Sequence, residues 1–175
     1  MKDSFNNDAA VSEQILALVK NAWNTQTKAV TAYFSKYDPG FYQEEVAPGR
    51  NRAIYLLGHL VASTDGLLPL LGLGDKRYPE LEAVFLTAAD DRKNDSVTPP
   101  LETLKEYWEN LVNTLAGHFA GMSAAQWLER HTRVSAEDFA LDPKRNKLNV
   151  LISRTMHIGY HIGQLALLKQ AEPAK

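Results

Sequence analysis

The chain has 175 residues, a formal net charge of −2 and no cysteine, and its length predicts a single domain that spans residues 1–175. Its 19 basic and 21 acidic side chains provide no broad positive surface, which disfavours nucleic acid as a partner. The absence of cysteine excludes disulfides, thiolate nucleophiles and iron–sulfur clusters, so any metal must be held by His, Asp or Glu.

The N-terminal segment MKDSFNNDAA lacks the apolar stretch of a secretory signal. No later stretch reaches the roughly 18 uncharged apolar residues expected of a membrane span. We therefore expect a cytoplasmic protein with no membrane partner.

Helical periodicity predicts the first two elements. Apolar residues from Ile15 to Tyr37 recur at helical spacings and stop at the Asp-Pro-Gly sequence of residues 38–40, which predicts a long amphipathic helix. The segment RNRAIYLLGHLVASTDGLLPLLG, residues 50–72, is apolar around most of its circumference. It predicts a central, well-covered helix that Pro69 should end or kink.

Two further long helices are predicted in the second half of the chain. The third opens at the Thr-Pro-Pro sequence of residues 98–100, where proline fits a first turn, and ends near Gly121. The fourth spans about residues 146–170, and Pro173 follows it. Between them, residues 123–126 have the sequence of a capping box, which predicts a short extra helix.

These elements predict an all-α protein, because no alternating strand pattern of useful length competes with them. About 28 residues separate the second and third helices, enough for a crossover along the side of a bundle. Residues 79–85 in this connection predict a short helix. The expected architecture is a four-helix bundle with one or two long connections and short extra helices, and such bundles build metal sites in their cores.

The segment HIGYHIGQ, residues 157–164, places two histidines four residues apart in the fourth helix. This spacing puts His157 and His161 on one face, one turn apart, where both rings can chelate one ion. Two partly buried histidines bonded to backbone or water are the alternative that spacing leaves open. A chelate needs a third ligand, and His59 is the best candidate because it also lies near mid-helix.

Other metal-site signatures fail on residue identity. No Glu lies three residues before a histidine, which excludes the di-iron Glu-x-x-His motif. Ile158 stands where a zinc protease would need Glu. The two remaining histidines, His118 and His131, are expected at the surface or at helix boundaries.

The surroundings of His59 favour an open site. Tyr55 and Ser63 lie on the same helix face and leave room beside the ring, as a substrate pocket would require. Asp65 follows His59 by six residues, about 240° around the helix, so it is not expected to bind the same ion.

Three residues of the fourth helix are candidates to support the site. Gln164, one turn after His161, is placed to orient the site or a substrate, or else to form a polar contact between helices. Tyr160 and Arg154 lie within one turn of His157. Both are candidates for the lining of the cavity mouth, although for Arg154 a solvated side chain is the favoured alternative.

The segments LLGHLVAS around His59 and HIGYHIGQ followed by LALL resemble the DinB-like superfamily of bacterial four-helix proteins, which is unrelated to the DNA polymerase of the same name. The resemblance runs from the first helix to Gln170. Its specific part is one upstream helical histidine with the pattern H-x3-H-x-G-Q. It implies that His59, His157 and His161 bind one divalent metal ion, which could be Zn, Ni, Fe or Mn.

The resemblance also implies candidate activities. Some relatives are transferases or isomerases that use a small-molecule thiol, and many have no assigned activity. We favour a metal-dependent transferase that uses a low-molecular-weight thiol on an electrophilic small-molecule substrate, because metal coordination itself deprotonates a thiol. A metal-dependent hydrolase is weaker, since no evident general base is present. A non-catalytic metal- or ligand-binding bundle, such as a stress-response protein, is the alternative of another class, and a homodimer is one expected assembly.

Overall fold

The computed structural model describes residues 2–168, apart from the side chains of residues 2–9, Lys93 and Asn94. This part of the chain contains seven α-helices and no β-strand, which confirms the all-α prediction. The helices are α1 (Lys2–Phe34), α2 (Ala53–Asp65), α3 (Leu67–Leu71), α4 (Leu101–Gly121), α5 (Ala124–Trp127), α6 (Ala136–Leu141) and α7 (Lys147–Leu165).

The four longest helices form the bundle. α1 packs against α4 and α7, and α2 packs against the same two helices. Their inward faces carry large apolar side chains, and burial of each contributes about 1.5–3 kcal/mol to folding. The largest of those that are fully buried are Trp23, Phe34, Leu57, Leu60 and Trp108. This arrangement is the predicted four-helix bundle with long connections.

The second predicted helix breaks at Gly66, which separates α2 from α3. Pro69 explains the break, because it has no N–H to donate to the carbonyl four residues earlier, that of Asp65, and its ring crowds that turn. The Asp65 carboxylate is buried and accepts backbone N–H groups of Arg77 and Tyr78, each at 2.9 Å. The prediction that proline interrupts this helix is therefore confirmed.

The segment Ala53–Leu71 is long and apolar enough for a membrane span by length and hydropathy alone. The sequence criterion counted only uncharged runs, and Asp65 interrupts this one. In the structure, 78 % of its apolar window is buried inside the protein. Neighbouring helices therefore cover it, as they cover the core helix of a soluble bundle.

Two helix starts differ from prediction. α1 begins at Lys2, well before Ile15, and Ile15 is itself exposed. α4 begins at Leu101, with Pro100 in an extended conformation as the N-cap, so the two prolines precede the helix instead of forming its first turn. Proline at the N-cap costs no helical hydrogen bond, since the first N–H groups of a helix have no partner within it.

The connections agree with prediction in part. Ser123 and Gln126 form the predicted capping box at α5. The short helix predicted at residues 79–85 is present but shifted, because residues 81–87 are helical and Ala83–Thr87 form a π-helical turn. α7 ends at Leu165, and the predicted end near residue 170 lies outside the described residues.

A buried ion pair attaches the long α3–α4 connection to the start of α2. The Asp90 carboxylate accepts hydrogen bonds from the backbone N (2.6 Å), Nε (2.9 Å) and Nη2 (2.6 Å) of Arg52. The side chains of Asp90 and Arg52 are 7 % and 5 % exposed, respectively. The connection then passes over α2 so closely that a Cβ on Gly58 would lie 2.2 Å from the Phe85 ring. Only glycine leaves room for this contact.

Candidate metal centre

Three histidines meet between α2 and α7. Nε2 of His157 lies 3.1 Å from Nε2 of His59 and 3.0 Å from Nε2 of His161. The three ring atoms that could hold an ion all lie within 4.8 Å of one another. The fold thus brings together the three histidines that the sequence singles out, 98 residues apart in the case of His59 and His157.

Hydrogen bonds on the far sides of two rings determine their tautomers. Nδ1 of His59 lies 2.9 Å from the Phe85 carbonyl oxygen, and Nδ1 of His161 lies 2.7 Å from Oε1 of Gln164. Both oxygens only accept, so each Nδ1 carries the proton and each Nε2 presents a lone pair to the shared space. Such partners orient a metal-binding imidazole and raise its basicity.

Nδ1 of the third ring, that of His157, faces a hydrogen-bond donor instead of an acceptor. Nη1 of Arg154 lies 3.4 Å from Nδ1 of His157. A guanidinium only donates, so in this contact Nδ1 of His157 accepts and its Nε2 carries the proton, which it can share with His59 or His161. To hold an ion through Nε2, His157 must adopt the other tautomer and Arg154 must move away from Nδ1.

The donor set fits a divalent metal ion. Imidazole nitrogens bind zinc at about 2.0–2.1 Å, so two of them on a tetrahedral ion lie about 3.3 Å apart. The two separations that involve His157, 3.0 and 3.1 Å, are close to this value, and all three donor atoms lie within 4.8 Å of one another. Within the described part of the chain, no Asp or Glu joins the three histidines. Neutral imidazoles suit Zn, Ni and Fe, and three of them leave at least one coordination position free.

Burial keeps two of these rings uncharged. Loss of solvent, together with the neighbouring His161, Arg154 and His59, lowers the pKa of His157 to about 4. Loss of solvent also lowers the pKa of His161, although the Gln164 hydrogen bond opposes this. Since a metal competes with protons for these nitrogens, the lowered pKa values keep the ligands available at neutral pH.

Metal-free protein should lose stability as the pH falls from about 6.5 to about 4. The pKa of His157 is about 4 in the folded chain and near the ordinary 6.5 in the unfolded chain, so protonation in this window favours unfolding. The full stability is present above pH 6.5 and is lost as the pH falls through 4. His157 alone should account for about 1–2 kcal/mol, because its ring is only half buried and solvent screens it.

Urea unfolding of metal-free protein at several pH values measures this loss. His157→Gln, which cannot take up the proton, should flatten the dependence of the unfolding free energy on pH. If the unfolding free energy depends on pH equally in the variant and in the unsubstituted protein, the assignment of this dependence to His157 is contradicted.

The other two predicted site residues occupy different positions. Tyr55 is buried and its hydroxyl donates to the carbonyls of Ala88 at 2.6 Å and Phe85 at 3.4 Å. It therefore holds the segment that orients His59 and does not leave open space beside that ring. Tyr160 is 63 % exposed, and its hydroxyl accepts from Nε2 of Gln164 at 3.1 Å.

For His118, His131 and Arg154, the expectation that the structure corrects is that for Arg154. His118 is exposed on α4, as expected. Arg154 is not solvated as predicted, because its Nε is buried and has no hydrogen-bond partner among the described residues. Burial accordingly lowers the pKa of Arg154. His131 and Arg154 line one pocket together with His157.

Sequence reasoning missed Gly58 and the Phe85 carbonyl. Gly58 precedes His59 in the interior of a helix, where glycine costs about 1 kcal/mol relative to alanine, and this cost was the available signal. Phe85 acts through its backbone oxygen, which every residue type carries, so no sequence pattern could identify it.

Comparison with known proteins identifies a family. A family model described as the DinB superfamily matches residues 22–165, a range that contains His59, His157 and His161. Curated proteins provide no match to the chain.

Proposed function

The chain belongs to the DinB superfamily, and from this membership and its three converging histidines we propose that it is a metal-dependent thiol transferase. His59, His157 and His161 hold one divalent ion, Zn, Ni, Fe or Mn. A divalent ion there supplies Lewis acidity that lowers the pKa of a low-molecular-weight thiol toward neutrality for attack on an electrophilic substrate. The observation that carries the proposal is the convergence of the three Nε2 atoms, with a hydrogen-bond acceptor behind two of the rings.

The composition of the site favours thiol transfer over hydrolysis. A hydrolase of this type uses a general base beside its nucleophilic water. No carboxylate joins the histidine group among the side chains that the structure describes, and a His157 whose pKa is about 4 is a poor base at neutral pH. A thiol needs no separate base once its pKa is lowered. Small thiols are kept reduced in the cytoplasm, where we place the protein.

The proposal places the substrate beside His157, although a larger cavity exists elsewhere. The cavity beside His157 has a volume of about 360 Å³, sufficient for a small molecule. A cavity of about 680 Å³ lies around Arg52 and Asp95, and these two side chains pair with each other at 2.9 Å. Since their charges are already compensated and the three histidines lie elsewhere, the smaller cavity is the better substrate site.

Cobalt-substituted protein tests this function. Because three histidines leave a coordination position free, small thiols and azide should bind there and change the visible spectrum. Consumption of free thiol in the presence of an electrophile should then depend on the metal. His161→Ala is the control variant, and neither the spectral change nor thiol consumption should be observed with it.

The competing function, a structural metal in a non-catalytic bundle, makes the opposite prediction. A structural ion has a closed set of ligands, and its removal unfolds the domain because its binding energy is folding energy. The core of leucine, tryptophan and phenylalanine side chains is continuous without the ion, so metal-free protein should stay folded. Unfolding of metal-free protein together with no spectral response to any thiol would refute the transferase.

A further inference from the structure

The cavity beside His157 has a basic and polar lining. It lies on the side of His157 toward the start of α7 and has a volume of about 360 Å³. No Asp or Glu is among the described residues that line it. Its polar lining residues are His131, Arg145, Asn146, Asn149, Ser153, Arg154 and His157. A cavity with this composition attracts an anion.

Arg154 is the central cation of this cavity. Its Nε is buried and has no hydrogen-bond partner among the described residues. Nη1 lies 3.4 Å from Nδ1 of His157, a neutral ring nitrogen that provides no countercharge. Burying a cation without an anion is costly, so an arginine in this position is explained best by an anion that binds with the ligand.

Two further donors surround the same cavity. Nδ1 of His131 accepts the backbone N–H of Arg133 at 3.3 Å, so in the neutral ring Nε2 carries the proton and is a donor. Arg145 pairs with Asp138 at 3.5 Å, but both side chains are about half exposed, so this pair compensates little of its charge.

Polar side chains continue from this cavity toward the histidines. Ser153 and Asn149 are exposed and lie about one and two turns, respectively, before His157 on the same face of α7. Arg154 is three residues before His157, about 4.5 Å along the helix axis. A small molecule held by Arg154 can therefore reach the three-histidine group with its other end.

We propose that this pocket binds the carboxylate of a small-molecule substrate or thiol cosubstrate, with Arg154 as its main partner. Arginine pairs with a carboxylate through two parallel hydrogen bonds, and Arg154 has no anionic partner among the described residues. The proposal extends the proposed function by assigning one end of the ligand. Only the chemistry at the opposite end of the ligand, next to the three histidines, rests on the proposed thiol transfer.

Calorimetric titration of metal-free protein with succinate tests the pocket by itself. Succinate should bind, and its neutral analogue succinamide should not. Arg154→Gln should weaken succinate binding at least tenfold, which is about 1.4 kcal/mol. Arg50→Gln makes the same change of charge at an exposed position outside the pocket and should bind succinate as the unsubstituted protein does.

A second variant guards against misfolding. Arg154→Lys keeps the positive charge but cannot form the two parallel hydrogen bonds, so it should weaken succinate binding severalfold. It replaces Arg154→Gln if thermal melting shows that Arg154→Gln does not fold. The carboxylate pocket is overturned if succinate does not bind, if Arg154→Gln and Arg50→Gln bind it equally, or if inorganic phosphate binds more tightly than succinate. Because these titrations contain no metal, failure of thiol transfer would leave their outcome unchanged.

Discussion

Replacing His161 by alanine should reduce metal affinity by about 100-fold or more, since changes to mere supporting partners of a ligand already cost 10–100-fold. Two ring nitrogens would remain where three now converge. The unsubstituted protein should contain about one ion per chain. Elemental analysis of protein purified without a polyhistidine tag measures the difference, and His59→Ala and His157→Ala should lose metal to a similar extent.

Two other histidines provide matched controls. His118 is exposed on α4, and His131 lines the neighbouring cavity without joining the three-histidine group. His118→Ala and His131→Ala should therefore retain their metal. Equal loss of metal in all five variants would show that the ion binds elsewhere, or that the substitutions act through the stability of the fold.

Replacing Asp90 by alanine should destabilise the protein by about 3–5 kcal/mol, because it leaves Arg52 buried without its anion. The Arg52 side chain is 5 % exposed, and Asp90 raises its pKa further above the ordinary value. The exposed carboxylate of Asp95, 2.9 Å away, can replace only part of this interaction. Urea unfolding at neutral pH measures the loss.

A surface ion pair of similar geometry is the control. Glu129 lies 2.8 Å from Lys147 and is 56 % exposed, so Glu129→Ala should cost at most about 1 kcal/mol. The double variant Arg52→Leu/Asp90→Leu should recover much of the loss in Asp90→Ala, because it removes the buried charge. If the Asp90→Ala protein is as stable as Glu129→Ala, the larger contribution assigned to the buried Arg52–Asp90 pair is contradicted.

The loss in Asp90→Ala should extend to the metal centre. Asp90 attaches the connection that contains Phe85, whose carbonyl orients His59. A looser connection would release that hydrogen bond, so we expect weaker metal binding even at temperatures where the variant is folded. This effect distinguishes Asp90 from a residue that contributes only to stability.

Much of the fold could be predicted because helical periodicity is a local property. The apolar spacing and the proline at residue 69 predict a buried helix with an interruption, and the structure has both. The capping box at Ser123 and Gln126 is also local, since both partners lie within one turn. Boundaries were less predictable. α1 extends to Lys2, whereas the first buried side chain among the described ones is that of Leu16, and the exposed residues 10–15 before it leave no apolar period.

The sequence by itself also determined which histidines could act together, because a spacing of four residues places His157 and His161 on one face. Only the tertiary structure decided the partners of these rings. The Phe85 carbonyl, the buried Arg154 and the cavity beside His157 all depend on segments distant in the chain, or on how α7 lies against its neighbours. The physical reason is that burial and the direction of a hydrogen bond arise from packing between elements, whereas residue spacing describes one element at a time.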